Sequence, residues 1–259
     1  MTENQHVVIT HEPQGILVIR INRLETKNAL TMAMYARMTE ALKAADADAD
    51  VRVAAIYGDP SCFTSGNDLK DFMEHPPQGP QSPVFRFLEA ITTFGKPIVA
   101  GVGGAAVGIG TTLLLHCDLV YATPATRFQL PFVPLGLCPE AASSYLLPLM
   151  AGYQRAAELL LLGAPFSADQ AQAMGLVNAQ IVDEQLVAHV MAQAARIAAL
   201  PPAAVRITRQ LMKQGAAAAI QQTMLREGEL FVERLRSPEA REAFSAFFEK
   251  RKPDFSKFV

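Results

Sequence analysis

The sequence predicts an α/β fold with parallel strand pairing, followed by a region made of helices alone. Two observations point there. Along the first 200 residues, short β-branched runs ended by turn formers alternate with stretches whose apolar residues recur at helical spacing. Beyond Pro201-Pro202 no strand pattern remains, which divides the chain into a core over 1–200 and a helical region over 201–259.

The elements follow in order. VVITHE, ILVIRIN and VRVAAIYG read as strands. Between the second and third, TMAMYARMTEALKAAD has helical periodicity, with Thr31 placed as N-cap. The segment MEHPPQGPQSPV, residues 73–84, is too rich in Pro and Gly for regular structure and reads as a lid or binding loop. VFRFLEAITTFG is a helix closed by Gly95, PIVAGV a buried strand, GTTLLLHCD a helix and DLVYAT a strand. SADQAQAMG is a helix with Ser167 as cap and Gly175 as stop. The tail reads as three helices: AAVRITRQLMKQ, AAIQQTMLREGELFVERLR and PEAREAFSAFFEKR, the last opened by Ser237 and Pro238. Phe231, Leu235, Phe244, Phe247 and Phe248 load it with apolar surface, which must fold back on the core or pack on a second subunit.

Composition narrows the function. Half of the 259 residues are hydrophobic and 19% are charged, so a sizeable core can form. A net charge of −2 offers no broad basic field for nucleic acid. Three cysteines without CxxC spacing and five scattered histidines suggest neither disulfides nor a metal site. The uncharged run Pro97–Leu115 approaches the ~20 residues of a membrane span. Its five glycines, each costing roughly 1 kcal/mol in a helix interior, favour strand, turn and helix instead. The stretch MTENQHVVITHEPQG has no signal-peptide pattern, and SKFV is no targeting address, so a cytoplasmic location without membrane contact is expected.

Three motifs carry candidate chemistry. GVGGAA (101–106) satisfies GxGxxA after a strand, yet Gly108 and Gly110 would interrupt the helix a dinucleotide site requires. The glycines instead either let a helix opening near Ile109 aim free N–H groups at a developing oxyanion, or pack helix on strand closely. CFTSGNDL (62–69) is a tight turn that exposes consecutive amides and could supply a second donor. LGLCPEAASSYL (135–146) holds Glu140, whose nearest acids are Asp118 and Glu158. Glu140 is either an ordinary first-turn acid of a helix AASSYLLPLM or a carboxylate kept dry, with a raised pKa, as a general base.

Taken together, RLETKNAL (23–30), FTSGNDL (63–69), KPIVAGVGGAAVGIGTTLLLHCDLVYA (96–122), FSADQAQAMGLVN (166–178) and SPEAREAFSAFFEKRKPDF (237–255) resemble the crotonase, or enoyl-CoA hydratase/isomerase, superfamily. The resemblance implies a spiral of ββα units and a C-terminal helical region that builds homotrimers, often paired into hexamers. It implies acyl-CoA thioester substrates, with coenzyme A entering as part of the substrate and no separate cofactor. By position, the oxyanion donors are the N–H groups of Asn67 and Ile109, and the coenzyme A contacts fall near Lys27, Ala29, Ser65 and Leu69.

The resemblance also bears on the reaction. The two glutamates of the family's hydratases are replaced here by Thr112 and Phe132. SGNDL, GTTLLLHCD and LGLCPEAASSY resemble the peroxisomal-type delta-3,delta-2-enoyl-CoA isomerases, in which one glutamate at the position of Glu140 is the base. That implies an isomerase, with Phe72, Phe85, Phe132 and Leu137 as a dry wall or as plain core. A hydratase, another crotonase reaction and a non-catalytic binding module are the other readings the family allows.

Overall fold

The structure is a computed structural model that describes residues 5–258. Residues 1–4 and Val259, which belong to the terminal stretches read above, lie outside the described residues. The strands are β1 (Val7–Glu12), β2 (Ile16–Ile21), β3 (Val53–Tyr57), β4 (Ile98–Val102), β5 (Ala105–Val107), β6 (Leu119–Ala122), β7 (Arg127–Gln129), β8 (Phe166–Ser167) and β9 (Ala179–Gln180). The helices are α1 (Met32–Ala47), α2 (Leu69–Glu74), α3 (Pro83–Thr93), α4 (Ile109–Thr112), α5 (Ser143–Ala151), α6 (Tyr153–Ala157), α7 (Ala168–Ala173), α8 (Leu186–Ala198), α9 (Pro202–Leu235) and α10 (Pro238–Phe248).

Two sheets organise the chain. The larger runs β1-β2-β3-β4-β6-β9 and the smaller β5-β7-β8. Among the described residues only β1 and β2 pair antiparallel in the larger sheet; its neighbours β2-β3, β3-β4, β4-β6 and β6-β9 pair parallel, as the strand–helix alternation predicts. The chain leaves β4 for β5 and then α4, and leaves β6 for β7 and then α5. After β3, Thr64 bridges Ala106 of β5 before α2 begins. Each of these three turns visits the large sheet, then the small one, then a helix, while β1 and β2 both stay in the large sheet before α1; this is the ββα spiral the resemblance implies.

Alternation along the strands sorts the core into two layers. Leu17, Ile19 and Ile21 of β2 face α1 and α3, with Ala54, Ile56, Ile98 and Ala100 beside them. Ile16, Val18, Val53, Ala55 and Val99 face α8 through Leu186, Val190 and Ala194. At Gly101 a Cβ would stand 2.8 Å from Cγ2 of Val190, so glycine lets α8 lie close on β4.

Several caps match expectation. Thr31 accepts from the Met34 amide at 3.3 Å, and Ser237 accepts from that of Ala240 at 3.1 Å. Ser167 and Gln170 form a reciprocal capping box at α7. Three readings need correction. Segment 73–84 is irregular only over 75–82, because α2 takes Met73 and Glu74 and α3 opens on Pro83. GTTLLLHCD forms only the short α4 and a 3-10 turn, Leu113–His116. The first two tail helices are one, since α9 runs 34 residues through Gly215. A lone glycine costs about 1 kcal/mol in a helix, too little to stop it where alanines 216–219 follow.

The tail folds back in part. Phe231 and Phe244 are buried, and Phe231 meets Phe72 edge to face at 6.2 Å, whereas Phe247 and Phe248 stay exposed. Arg209 pins α9 to the core by donating to both oxygens of Asp118, at 2.9 and 2.8 Å, and to the Phe94 carbonyl at 2.5 Å. No helix of the described residues is long and apolar enough to cross a membrane.

Candidate active site

Two loops build the donor side. Residues Leu24–Thr26 form a 3-10 turn that ends at Lys27 and Asn28, both left-handed with φ of 54° and 56°. Asn28 is wholly buried, and its side chain makes the turn possible. Oδ1 accepts from the Arg23 amide at 2.7 Å, and Nδ2 donates to the Cys62 carbonyl at 2.8 Å. The loop after β3 is stitched alongside: the Ser65 amide donates to the Lys27 carbonyl at 3.0 Å, and Thr64 Oγ1 to that of Asn28 at 2.7 Å. Leu30 donates to the Gly66 carbonyl at 2.8 Å and accepts from the Asp68 amide at 2.9 Å. Lys27, Ala29 and Ser65 thus lie on adjoining loops, and Leu69 opens α2 behind the cap of Asp68.

Glycine brings Asn67 and Ile109 to neighbouring backbones. Gly66 has φ of 90°, and a Cβ there would stand 2.8 Å from the Val107 carbonyl oxygen. From the other side, a Cβ on Gly110 would meet Cγ2 of Thr64 at 2.6 Å. Gly108, with φ of 55°, caps α4 and accepts from the amides of Thr111 and Thr112, which leaves Ile109 as the first helical residue. Among the described residues, the N–H groups of Asn67 and Ile109 donate to no protein acceptor. Tyr35 of α1, buried against Phe87, donates its hydroxyl to Oδ1 of Asn67 in a short bond. Burial pushes the Tyr35 phenol well up, with the Glu140 charge adding to the effect, so it remains a donor.

Glu140 is not the first-turn acid that its position before AASSYLLPLM allowed. α5 starts only at Ser143, because Ala141 and Ala142 adopt φ of 59° and 55°, left-handed values that alanine disfavours. The carboxyl is 3% exposed and accepts from Oγ1 of Thr112, at the end of α4, at 3.3 Å. No cation pairs with it among the described residues. Burial, reinforced by the nearby Glu227 carboxylate and partly offset by Thr112, raises its pKa to about 8. Phe132, Leu137 and Phe72 are buried and Phe85 half-buried in the main core.

Sequence reasoning missed Glu227, Tyr35 and Asn28. Glu227, on α9, is 6% exposed and accepts from the Ala142 amide at 2.6 Å and from Ser144 N and Oγ at 3.0 and 2.5 Å. Its separation from those partners, 85 and 83 residues, left no local signal. The four-residue spacing of Met34, Met38 and Leu42 puts Tyr35 near a buried stripe, and that was the one available clue to it.

A dry ionisable carboxyl whose hydrogen-bond donor, Thr112, closes the same short helix that Ile109 opens suits chemistry that moves a proton while negative charge builds on a nearby oxygen. The fold around it is an α/β spiral with a C-terminal helical region. The chain belongs to the enoyl-CoA hydratase/isomerase family, whose model matches residues 11–257. It is 38% identical over 218 residues to enoyl-CoA delta isomerase 2 of Rattus norvegicus, covering 82% of this chain and 55% of that protein. The chain thus spans about half the length of that relative and of its Homo sapiens counterpart. It is 31% identical to the 2,3-dehydroadipyl-CoA hydratase of Escherichia coli K12, over 96% of this chain and 98% of that one. Among solved structures, OdaA of Pseudomonas aeruginosa superposes with a TM-score of 0.91 at 50% identity, covering 94% and 98% of the two chains. An enoyl-CoA hydratase/isomerase of Pseudoalteromonas atlantica does so at 0.92 and 40%, over 97% and 100%.

Proposed function

We propose that this chain processes acyl-CoA thioesters as a delta-3,delta-2-enoyl-CoA isomerase. The observation that carries the reading is Glu140, a buried carboxyl that pairs with no cation among the described residues, with Thr112 where a hydratase glutamate would stand. Glu140 as carboxylate takes a proton from C2 of a 3-enoyl-CoA, which the thioester acidifies. The electrons move onto the thioester oxygen, where the N–H groups of Asn67 and Ile109 stabilise the dienolate. Protonated Glu140 then returns the proton to C4, and the double bond lies between C2 and C3. One carboxyl serves both carbons, and atoms balance without a cofactor. Coenzyme A would run past Lys27, Ala29, Ser65 and Leu69.

A hydratase is the second reading, favoured by the full-length likeness to the Escherichia coli hydratase. The reading also expects a homotrimer, or a hexamer made of two, supported by exposed Leu149, Tyr153, Leu161 and Leu162 around α5 and α6. Purified protein given 3-hexenoyl-CoA should form the 2-enoyl product, and given crotonyl-CoA should hydrate it slowly if at all. Rapid hydration of crotonyl-CoA without isomerisation would overturn the isomerase reading.

A further inference from the structure

The peptide joining Ala141 to Ala142 is held at both ends. His116, in the 3-10 turn after α4, donates from Nε2 to the Ala141 carbonyl at 2.8 Å. Burial holds the His116 pKa down at about 4, so the ring is neutral and its Nε2 carries the donated proton. The N–H of the same peptide, on Ala142, donates to Oε2 of Glu227 at 2.6 Å. Glu227 Oε1 takes the Ser144 amide and hydroxyl, which ties the start of α5 to the same carboxylate. Two successive alanines in the left-handed region are strained, and such a turn persists only where its surroundings over-determine it. Glu140 is the residue immediately before that turn, and its own carbonyl accepts from the Ser143 amide at 3.0 Å.

We infer that Glu227 is a positioning residue for the proposed reaction: from α9 it clamps the Ala141–Ala142 peptide against His116 and so aims the Glu140 carboxyl at Thr112. This rests on Glu140 as the base. The carboxylate oxygens of Glu227 are engaged by three donors, which suits holding rather than exchanging protons. The groups that bear on Glu140 are Glu227 from α9, Thr112 from α4, Tyr35 from α1 and Cys138 on its own segment. Burial is the main cause of the raised Glu140 pKa; among these groups Glu227 is the one that adds to it by charge, so its position also shifts the pH at which Glu140 becomes a base.

Glu227→Gln keeps the shape, removes the charge and replaces one accepting oxygen with a donor. It should lower kcat on 3-hexenoyl-CoA by about 10- to 100-fold with KM changed less than about threefold, since misplacing a reacting group by 1 Å costs on that order. The acid limb of kcat/KM should move to lower pH, because a like charge has left the neighbourhood of Glu140. A merely structural role would not move that limb. Ser144→Ala, a milder cut in the same clamp, should lower kcat a few-fold with the fold retained, and it carries the test if Glu227→Gln does not fold. Arg226→Gln, at an exposed site on α9, should match the parent protein. Parental kcat and an unmoved limb in Glu227→Gln, or parental kcat in Ser144→Ala where it stands in, would overturn the inference if Glu140→Gln is inactive. An active Glu140→Gln would instead overturn the base assignment on which the inference rests.

Discussion

Thr112 donates its hydroxyl to Oε1 of Glu140 across 3.3 Å, and this bond favours the charged form of an otherwise dry carboxyl. Thr112→Val keeps the shape and removes the donor. The Glu140 pKa should then rise further, and the acid limb of kcat/KM should move to higher pH, with activity at pH 7 reduced several-fold. A pH–rate profile of the purified variant checks this. A limb that stays in place or moves to lower pH would show that the hydroxyl does not act on the base.

Burial of Glu140 also predicts how stability depends on pH. Its pKa is about 8 in the folded chain and near 4.5 unfolded, so the folded state holds the proton more tightly. Stability should therefore fall as pH rises from about 4.5 to about 8. Glu140→Gln removes that contribution. The variant should match the parent protein near pH 4 and exceed it in Tm at pH 8, by an amount that grows across the interval. A Tm difference independent of pH would mean that the carboxyl is not desolvated.

Gly110 lies beside the Ile109 amide, and a Cβ there would come within 2.6 Å of Thr64 Cγ2 and 3.1 Å of the Thr64 carbonyl oxygen. Gly110→Ala should destabilise the chain by about 1–3 kcal/mol, the usual cost of overpacking. It should also lower kcat, because the two donor loops are forced apart. Gly79→Ala meets nothing within 4 Å and should change stability by less than ~0.5 kcal/mol. Urea denaturation of both variants compares them. Equal midpoints would contradict the tight seam between the loops.

What could be read in advance was local. The caps of Thr31, Ser167 and Ser237 act within three residues, and the alternation of strands with helices is written in periodicity, whereas the ββα spiral was implied only by the family resemblance. α8 went unread although Leu186, Val190, Ala194 and Ala198 recur at four-residue spacing: half of that stripe is alanine, and Gln185 at its start makes no side-chain cap to mark the boundary. The left-handed turn after Glu140 was hidden for a different reason. Alanine does not ask for that conformation; His116 and Glu227, from distant parts of the chain, impose it. The motif around Glu140 was visible, whereas the pair of groups that hold it belongs to the tertiary structure.

The most direct measurement is turnover of 3-hexenoyl-CoA by Glu140→Gln alongside the binding of a non-reactive acyl-CoA. Gln keeps the size and the Thr112 contact but cannot take a proton. Isomerisation should fall by about 10²- to 10⁴-fold, the usual contribution of a general acid–base group, with thioester affinity nearly unchanged. Turnover within a few-fold of the parent protein would contradict the assignment of Glu140 as the proton carrier.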